Sequence, residues 1–137
     1  MLQRIIKRLS SAFASGPGDS HHASSPKKLS PAEAVAFIAS SDTVFVDVRE
    51  RAELDRSGTI KGAIHAPRGN LPGASARAGA KPGAVPHPDM HLILFCASGM
   101  RATFAAKTVM SCGYQRVSLV SGGGFDALKR AGAPTTR

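Results

Sequence analysis

Short apolar runs alternate with amphipathic stretches along the chain from about residue 29 to its end. Runs of β-branched and aliphatic residues predict buried strands, because such residues pack well on both faces of a parallel sheet. Stretches with helical spacing, many of them followed by glycine, predict the helices between these strands. The expected strands are 43–48, 60–65, 91–95 and 116–120, and the expected helices begin at Pro31 and cover 51–56, 102–111 and 125–130.

This alternation of strands and helices indicates an α/β domain with a mainly parallel sheet. Ser30 and Glu33 form a capping-box pattern around Pro31, which marks the first helix. A long loop rich in glycine, proline and alanine is expected over 67–88. Ligands of such domains bind at the carboxyl ends of the strands. Cys96 stands at the end of the strand predicted at 91–95, so the search for a site begins there.

The N-terminal segment has a different character from the rest of the chain. Its apolar residues recur every three or four positions, and basic residues flank them, which predicts a basic amphipathic helix over 1–13. Three interpretations stay open: peripheral contact with an anionic membrane, an organelle transit peptide, or a frayed tail. Residues 14–28 have the composition of a flexible linker. We therefore divide the chain into an amphipathic tail and linker, 1–28, and a domain, 29–137.

Composition and charge limit the classes of function that the chain can have. The 137 residues suit one domain, and no apolar run is long enough to span a membrane. The net charge of +9 suits an enzyme that attracts small anions, whereas the scarcity of aromatic residues speaks against nucleic-acid binding.

Two cysteines do not form a disulfide framework, so we expect a reducing, cytoplasmic location. His21 and His22 have no third ligand nearby, so no metal and no cofactor are expected.

The residues after the strand at 91–95 form the candidate site. They are Cys96, Ala97, Ser98, Gly99, Met100 and Arg101, and a helix follows them. Backbone N–H groups at the start of a helix curl into a nest that attracts negative charge. Gly99 permits a tight turn, the small side chains of Ala97 and Ser98 leave the mouth open, and Arg101 supplies a planar cation for an oxyanion. Such surroundings favour a thiolate, so the loop predicts Cys96 as a nucleophile.

The other cysteine and the histidines fit structural roles better. Cys112 lies at a predicted helix end without a basic or glycine-rich context, and we expect it to fill space. His65 and His91 flank strands, and no neighbouring residue marks either of them as a base. The predicted site therefore works without an imidazole.

Over residues 29–137 the sequence resembles the rhodanese family. Five segments occur in the family's order: 46–50 with Glu53; 58–63 leading to 67–69; the loop 96–101; Gly113-Tyr114; and 122–125 with 131–134. The resemblance implies a rhodanese-like three-layer domain with a five-stranded, mainly parallel sheet flanked by helices. It also implies that Asp47 and Arg49 match the family's Asp-x-Arg, either supporting the substrate or tying loops together. The family often has His at the position of Thr59 and Trp at that of Leu128, and these departures affect packing more than activity.

The activity implied by the resemblance is that of a thiosulfate sulfurtransferase. Cys96 would take the outer sulfur of thiosulfate, or of a similar small anionic donor, and hold it as a persulfide. A thiol or cyanide would then accept the sulfur, which gives a ping-pong order.

Two alternatives remain at this point. A persulfide carrier or partner-binding module would use the same loop without multiple turnovers. A cysteine phosphatase or arsenate reductase needs arginine at the sixth position after the cysteine, where this chain has Ala102. One residue fewer makes the loop smaller, so it fits a sulfur atom better than a tetrahedral phosphate.

Overall fold

The computed structural model describes residues 25–71 and 86–137. A five-stranded parallel sheet forms its centre, with the strand order β1-β6-β5-β2-β4. These strands are β1 (Lys27–Leu29), β2 (Thr43–Asp47), β4 (Ile64–His65), β5 (His91–Phe95) and β6 (Val117–Val120). The predicted α/β class and the parallel sheet are confirmed.

Within residues 25–71 and 86–137, four helices connect the strands: α1 (Pro31–Val35), α2 (Arg51–Ser57), α3 (Met100–Ser111) and α4 (Phe125–Arg130). The capping box predicted for α1 is present, since Ser30 Oγ accepts the Glu33 amide hydrogen at 3.1 Å and Glu33 Oε1 accepts that of Ser30 at 2.8 Å. Helix α3 begins two residues earlier than predicted, at Met100, which places Met100 and Arg101 in its first turn. None of the helices within the described ranges is long and apolar enough to cross a membrane.

The single strand predicted over 60–65 is wrong. Its first part is β3 (Thr59–Ile60), which pairs antiparallel with β7 (Thr135–Thr136) in a separate two-stranded sheet. Its second part is β4 in the main sheet, and Gly62, with φ of 84°, turns the chain between the two. A short 3₁₀ turn follows at Pro67–Gly69, at the start of the predicted loop 67–88. Residues 72–85 of that loop lie outside the described residues.

The domain begins slightly before the predicted boundary. Lys27 and Lys28, which the sequence assigns to the linker, belong to edge strand β1 and pair with Ser118 and Leu119 of β6. The predicted helix over 1–13 and most of the predicted linker lie outside the described residues.

Two apolar clusters cover the two faces of the sheet. Every residue of β5 is buried, and its side chains alternate between the clusters because successive residues of a strand point to opposite faces. Leu92 and Leu94 pack in the cluster that contains helix α3, whereas Ile93 and Phe95 pack in the cluster that contains α1 and α4. The central strand β5 is therefore packed on both of its faces, and the loop that follows it begins at a fully buried residue.

Candidate active site

Cys96 lies at the carboxyl end of β5, where the sequence places it. The loop 97–99 joins β5 to α3, and Gly99 is the residue before the first turn of that helix, with φ of 110°. This left-handed conformation favours glycine. It turns the Gly99 amide back toward the cysteine, and that amide donates to Cys96 Sγ at 2.9 Å. The loop therefore presents at least one backbone donor to the sulfur.

The sulfur is more enclosed than the sequence suggests. Cys96 has 0% of its surface exposed and belongs to the cluster that packs α3 against the sheet. Ala97 and Ser98 are exposed, yet they do not leave the thiol open to solvent, so the expectation of an open mouth is wrong for this conformation. The thiol is therefore fully covered in this conformation.

A second glycine fixes the loop from the side of α4. The Phe125 amide, at the start of that helix, donates to the Cys96 carbonyl oxygen at 2.8 Å. A Cβ atom on the preceding Gly124 would stand 2.0 Å from the same oxygen and 2.5 Å from that of Ala97. Only glycine allows this approach. The sequence shows the glycine run 122–124, but only the folded chain shows which of the three touches the loop.

Arg101 does not stand free beside the sulfur. Its guanidinium forms a bidentate pair with Glu53 of helix α2, with N–O distances of 2.7 and 2.9 Å. The hydrogen bonds from Arg101 hold the pKa of Glu53 at about 2, well below its usual range. The same carboxylate raises the pKa of Arg101 above its ordinary value. The predicted cation is thus present, but its charge is shared with a carboxylate that sequence reasoning did not assign to the site.

Glu53 is itself held in place. One of its oxygens also accepts the Glu50 amide hydrogen at 2.9 Å, which caps the first turn of α2. Glu53 and Arg101 are separated by 48 positions in the chain, so no local pattern marks them as partners. The sequence offers two indirect signals: Glu53 lies in the first turn of a predicted helix, and it accompanies the segment 46–50 in the family resemblance.

Asp47 and Arg49 form a buried link between loops. Asp47 is 0% exposed and Arg49 3%, and Arg49 Nη2 lies 2.8 Å from Asp47 Oδ2. Arg49 also donates to Ser57 Oγ and to the Gly58 carbonyl oxygen, which ties the end of α2 to β2. Thr59 donates to Asp47 Oδ2 at 2.6 Å, so the threonine that departs from the family pattern still supplies a hydrogen bond. These contacts support the loop-tying role of the pair.

Arg49 also reaches the active loop indirectly. Its guanidinium carbon lies 4.3 Å from the centre of the Phe125 ring, and the Phe125 amide holds the Cys96 carbonyl. The Asp47–Arg49 pair thus acts on the loop indirectly: Arg49 contacts the Phe125 side chain, and the Phe125 backbone holds the Cys96 carbonyl group.

The remaining candidates make structural contacts. His65 Nε2 lies 2.7 Å from the Arg49 carbonyl oxygen, and His91 Nε2 lies 2.7 Å from Ser118 Oγ. Burial lowers the pKa of His91, which keeps its ring neutral at physiological pH. Cys112 is partly buried, and its Sγ lies 3.4 Å from the Thr108 carbonyl oxygen at the end of α3. The described contacts of these residues do not involve Cys96.

Similarity to known proteins identifies the family and the fold. The family model of the rhodanese-like domain matches residues 30–131. A structure from Rhodopseudomonas palustris, of a protein of unknown function described as a possible tyrosine phosphatase, is 32% identical, with 81% of this chain and 85% of that chain covered and a TM-score of 0.63. A single-domain sulfurtransferase from Saccharomyces cerevisiae is 25% identical, with 79% of this chain and 92% of that chain covered and a TM-score of 0.59.

A rhodanese-like domain from Anabaena has the same fold at 21% identity, with 80% of this chain and 77% of that chain covered and a TM-score of 0.63. No curated protein sequence matches the chain. The family match covers most of the described domain and includes the loop around Cys96. The chain therefore belongs to the rhodanese-like domain family.

Proposed function

We propose that this protein is a sulfurtransferase that carries sulfane sulfur on Cys96, with thiosulfate or a similar small anion as donor and a thiol or cyanide as acceptor. The observation that carries the proposal is the hydrogen bond from the Gly99 amide to Cys96 Sγ at 2.9 Å. A cysteine that only filled space in the core would not need a left-handed glycine to aim a backbone donor at its sulfur.

The reaction has two transfers. The Cys96 thiolate attacks the outer sulfur of thiosulfate, the sulfur–sulfur bond of the donor breaks, and sulfite leaves with the bonding electrons. The acceptor thiolate then attacks the outer sulfur of the Cys96 persulfide, and the Cys96 thiolate is released. The Gly99 amide stabilises the sulfur of Cys96 whenever it carries negative charge, and no outside oxidant or reductant is required.

The enclosed thiol adds one step to this scheme. Because Cys96 is fully covered in this conformation, part of the loop shifts to admit the donor. Ser98 is small and exposed, so it moves without breaking side-chain packing. Gly124 and Phe125 hold the start of the loop during this movement, since Gly124 lies against the carbonyl groups of Cys96 and Ala97 and the Phe125 amide donates to the Cys96 carbonyl oxygen.

The Rhodopseudomonas palustris neighbour makes phosphate chemistry the alternative to exclude. A phosphatase loop needs an arginine that faces the phosphate held over the cysteine. The sixth position after Cys96 is Ala102, which is fully buried, and Arg101 is engaged by Glu53. Neither residue places a free guanidinium over the sulfur, as hydrolysis of a phosphate ester requires, which favours sulfur transfer.

Initial rates with varied thiosulfate and cyanide test the proposal. Double-reciprocal plots are expected to be parallel, because the donor product leaves before the acceptor binds. The same preparation is expected not to hydrolyse an aryl phosphate. Hydrolysis of the aryl phosphate without sulfur transfer would overturn the proposal. A single turnover without further cycles would identify the protein as a persulfide carrier.

A further inference from the structure

A cleft of about 560 Å³ lies beside the active loop. Two large apolar side chains that line it are exposed: Met100 to 70% and Phe104 to 65%. They stand four positions apart in α3, so they lie on the same face of that helix. Large apolar side chains exposed together, next to a reactive group, are typical of a binding surface. Other residues that line the cleft are Ser98, Gly99, Thr103 and Gly122.

The cleft adjoins the sulfur through the loop. Gly99 lines the cleft, and its amide donates to Cys96 Sγ. Ser98 lines it too and precedes Gly99 in the loop that follows Cys96. A molecule seated in the cleft is therefore next to the segment that shifts when Cys96 becomes accessible.

The cleft has an uncharged lining although the protein is strongly basic. None of its lining residues carries a charge, whereas the whole chain has a net charge of +9. Arg101, the cation nearest to the loop in sequence, has both terminal nitrogens on Glu53. No side chain of the lining carries a charge that could pair with a charged group on the body of a ligand, and its two large side chains are apolar, so this surface favours apolar contact.

We infer that this cleft binds the uncharged, apolar body of a low-molecular-weight organic thiol that accepts sulfur from Cys96. The inference rests on the sulfurtransferase function proposed above and specifies its acceptor. The thiolate of the acceptor attacks the outer sulfur of the persulfide, a new sulfur–sulfur bond forms, and the bond to Cys96 Sγ breaks. The acceptor leaves as an organic persulfide and Cys96 returns to the thiolate, so atoms and electrons balance.

The volume of the cleft favours a small molecule, since pockets of several hundred Å³ hold ligands of drug size or below. The cleft lies at the carboxyl ends of the parallel strands, beside the residues that follow β5 and β6.

The test compares two uncharged acceptors, 2-phenylethanethiol and 2-mercaptoethanol, on protein loaded with sulfur from thiosulfate. Intact mass first verifies that one sulfur has been added, and the second-order rate of its removal is then measured for each thiol. The ratio of the two rates cancels effects on the persulfide itself. Replacing Met100 and Phe104 together by alanine is expected to lower the ratio about tenfold, because the contact with the phenyl group is lost.

Lys107→Ala, on an exposed position of the same helix, is the matched control and is expected to leave the ratio unchanged. Both apolar residues are largely exposed, so the double variant is expected to fold. A persulfide that forms normally but gives the same ratio in the double variant would overturn the inference alone. If no sulfur is added at all, the sulfurtransferase function fails and the inference fails with it.

Discussion

At the scale of single residues, the active loop depends on how closely two backbone segments approach. Gly124 meets the carbonyl oxygens of Cys96 and Ala97 at distances that no Cβ atom tolerates. This approach allows the Phe125 amide to reach the Cys96 carbonyl and to fix the residue that carries the sulfur. Gly124 has φ of −153°, so its requirement for glycine comes from the contact and not from backbone strain.

Gly124→Ala is therefore expected to lower the free energy of unfolding by about 1–3 kcal/mol and to slow sulfur transfer, because α4 and the loop must separate. Gly132→Ala is the control. Gly132 has φ of 108° and no atom within 4 Å of a built Cβ, so only backbone strain is added, about 1 kcal/mol, and transfer is retained. Urea unfolding and thiosulfate kinetics measure the two effects. Transfer by Gly124→Ala at the wild-type rate would contradict the role of this contact.

At the scale of elements, the sequence pattern predicted the part of the site whose residues are close together in the chain. Strand β5, the loop and α3 are consecutive in sequence, so apolar runs and a glycine locate Cys96 correctly. Glu53 could not be predicted as the partner of Arg101, because the two residues lie 48 positions apart and only the folded chain brings them together. Strands β1 and β7 were missed for a related reason. They are short and largely polar, and their pairing partners lie far away in the chain.

The contact of Thr59 with Asp47 joins β3 to β2 in the same non-local way. Thr59→Val keeps the shape of the side chain but removes one donor from a fully buried carboxylate. It is expected to lower the free energy of unfolding by about 1–3 kcal/mol while sulfur still loads onto Cys96. Thr43→Val, whose hydroxyl makes a longer and exposed bond to Asp42, is expected to change stability by less than about 0.5 kcal/mol. Equal effects of the two substitutions in urea unfolding would contradict this assignment.

At the scale of the whole molecule, His91 and Glu53 both couple stability to pH. Burial lowers the pKa of His91, so the unfolded chain takes up a proton first as pH falls through the ordinary value of 6.5, and stability decreases. Glu53 has a pKa near 2 in the folded chain against an ordinary value of 4.5. Its contribution is fully present above 4.5 and is lost as pH falls toward 2.

Glu53→Gln isolates the effect of the Glu53 charge on stability, because glutamine can still accept the Glu50 amide hydrogen at the start of α2. Between pH 4.5 and pH 2 the wild-type protein is expected to lose more stability than the variant. Above this range the difference between the two proteins is expected to be constant. Urea midpoints across pH give the comparison, and parallel curves down to pH 2 would show that the Arg101 pair does not stabilise the fold.

The most direct measurement is the intact mass of the protein after treatment with thiosulfate and removal of the excess. The wild-type chain is expected to gain the mass of one sulfur atom, released again by a thiol. Cys112→Ser is expected to gain it as well, and Cys96→Ser is expected not to. Because Cys96 is fully covered in the structure, this experiment also tests whether the loop admits a donor. A wild-type mass that stays unchanged, or a gain that persists in Cys96→Ser, would contradict the account.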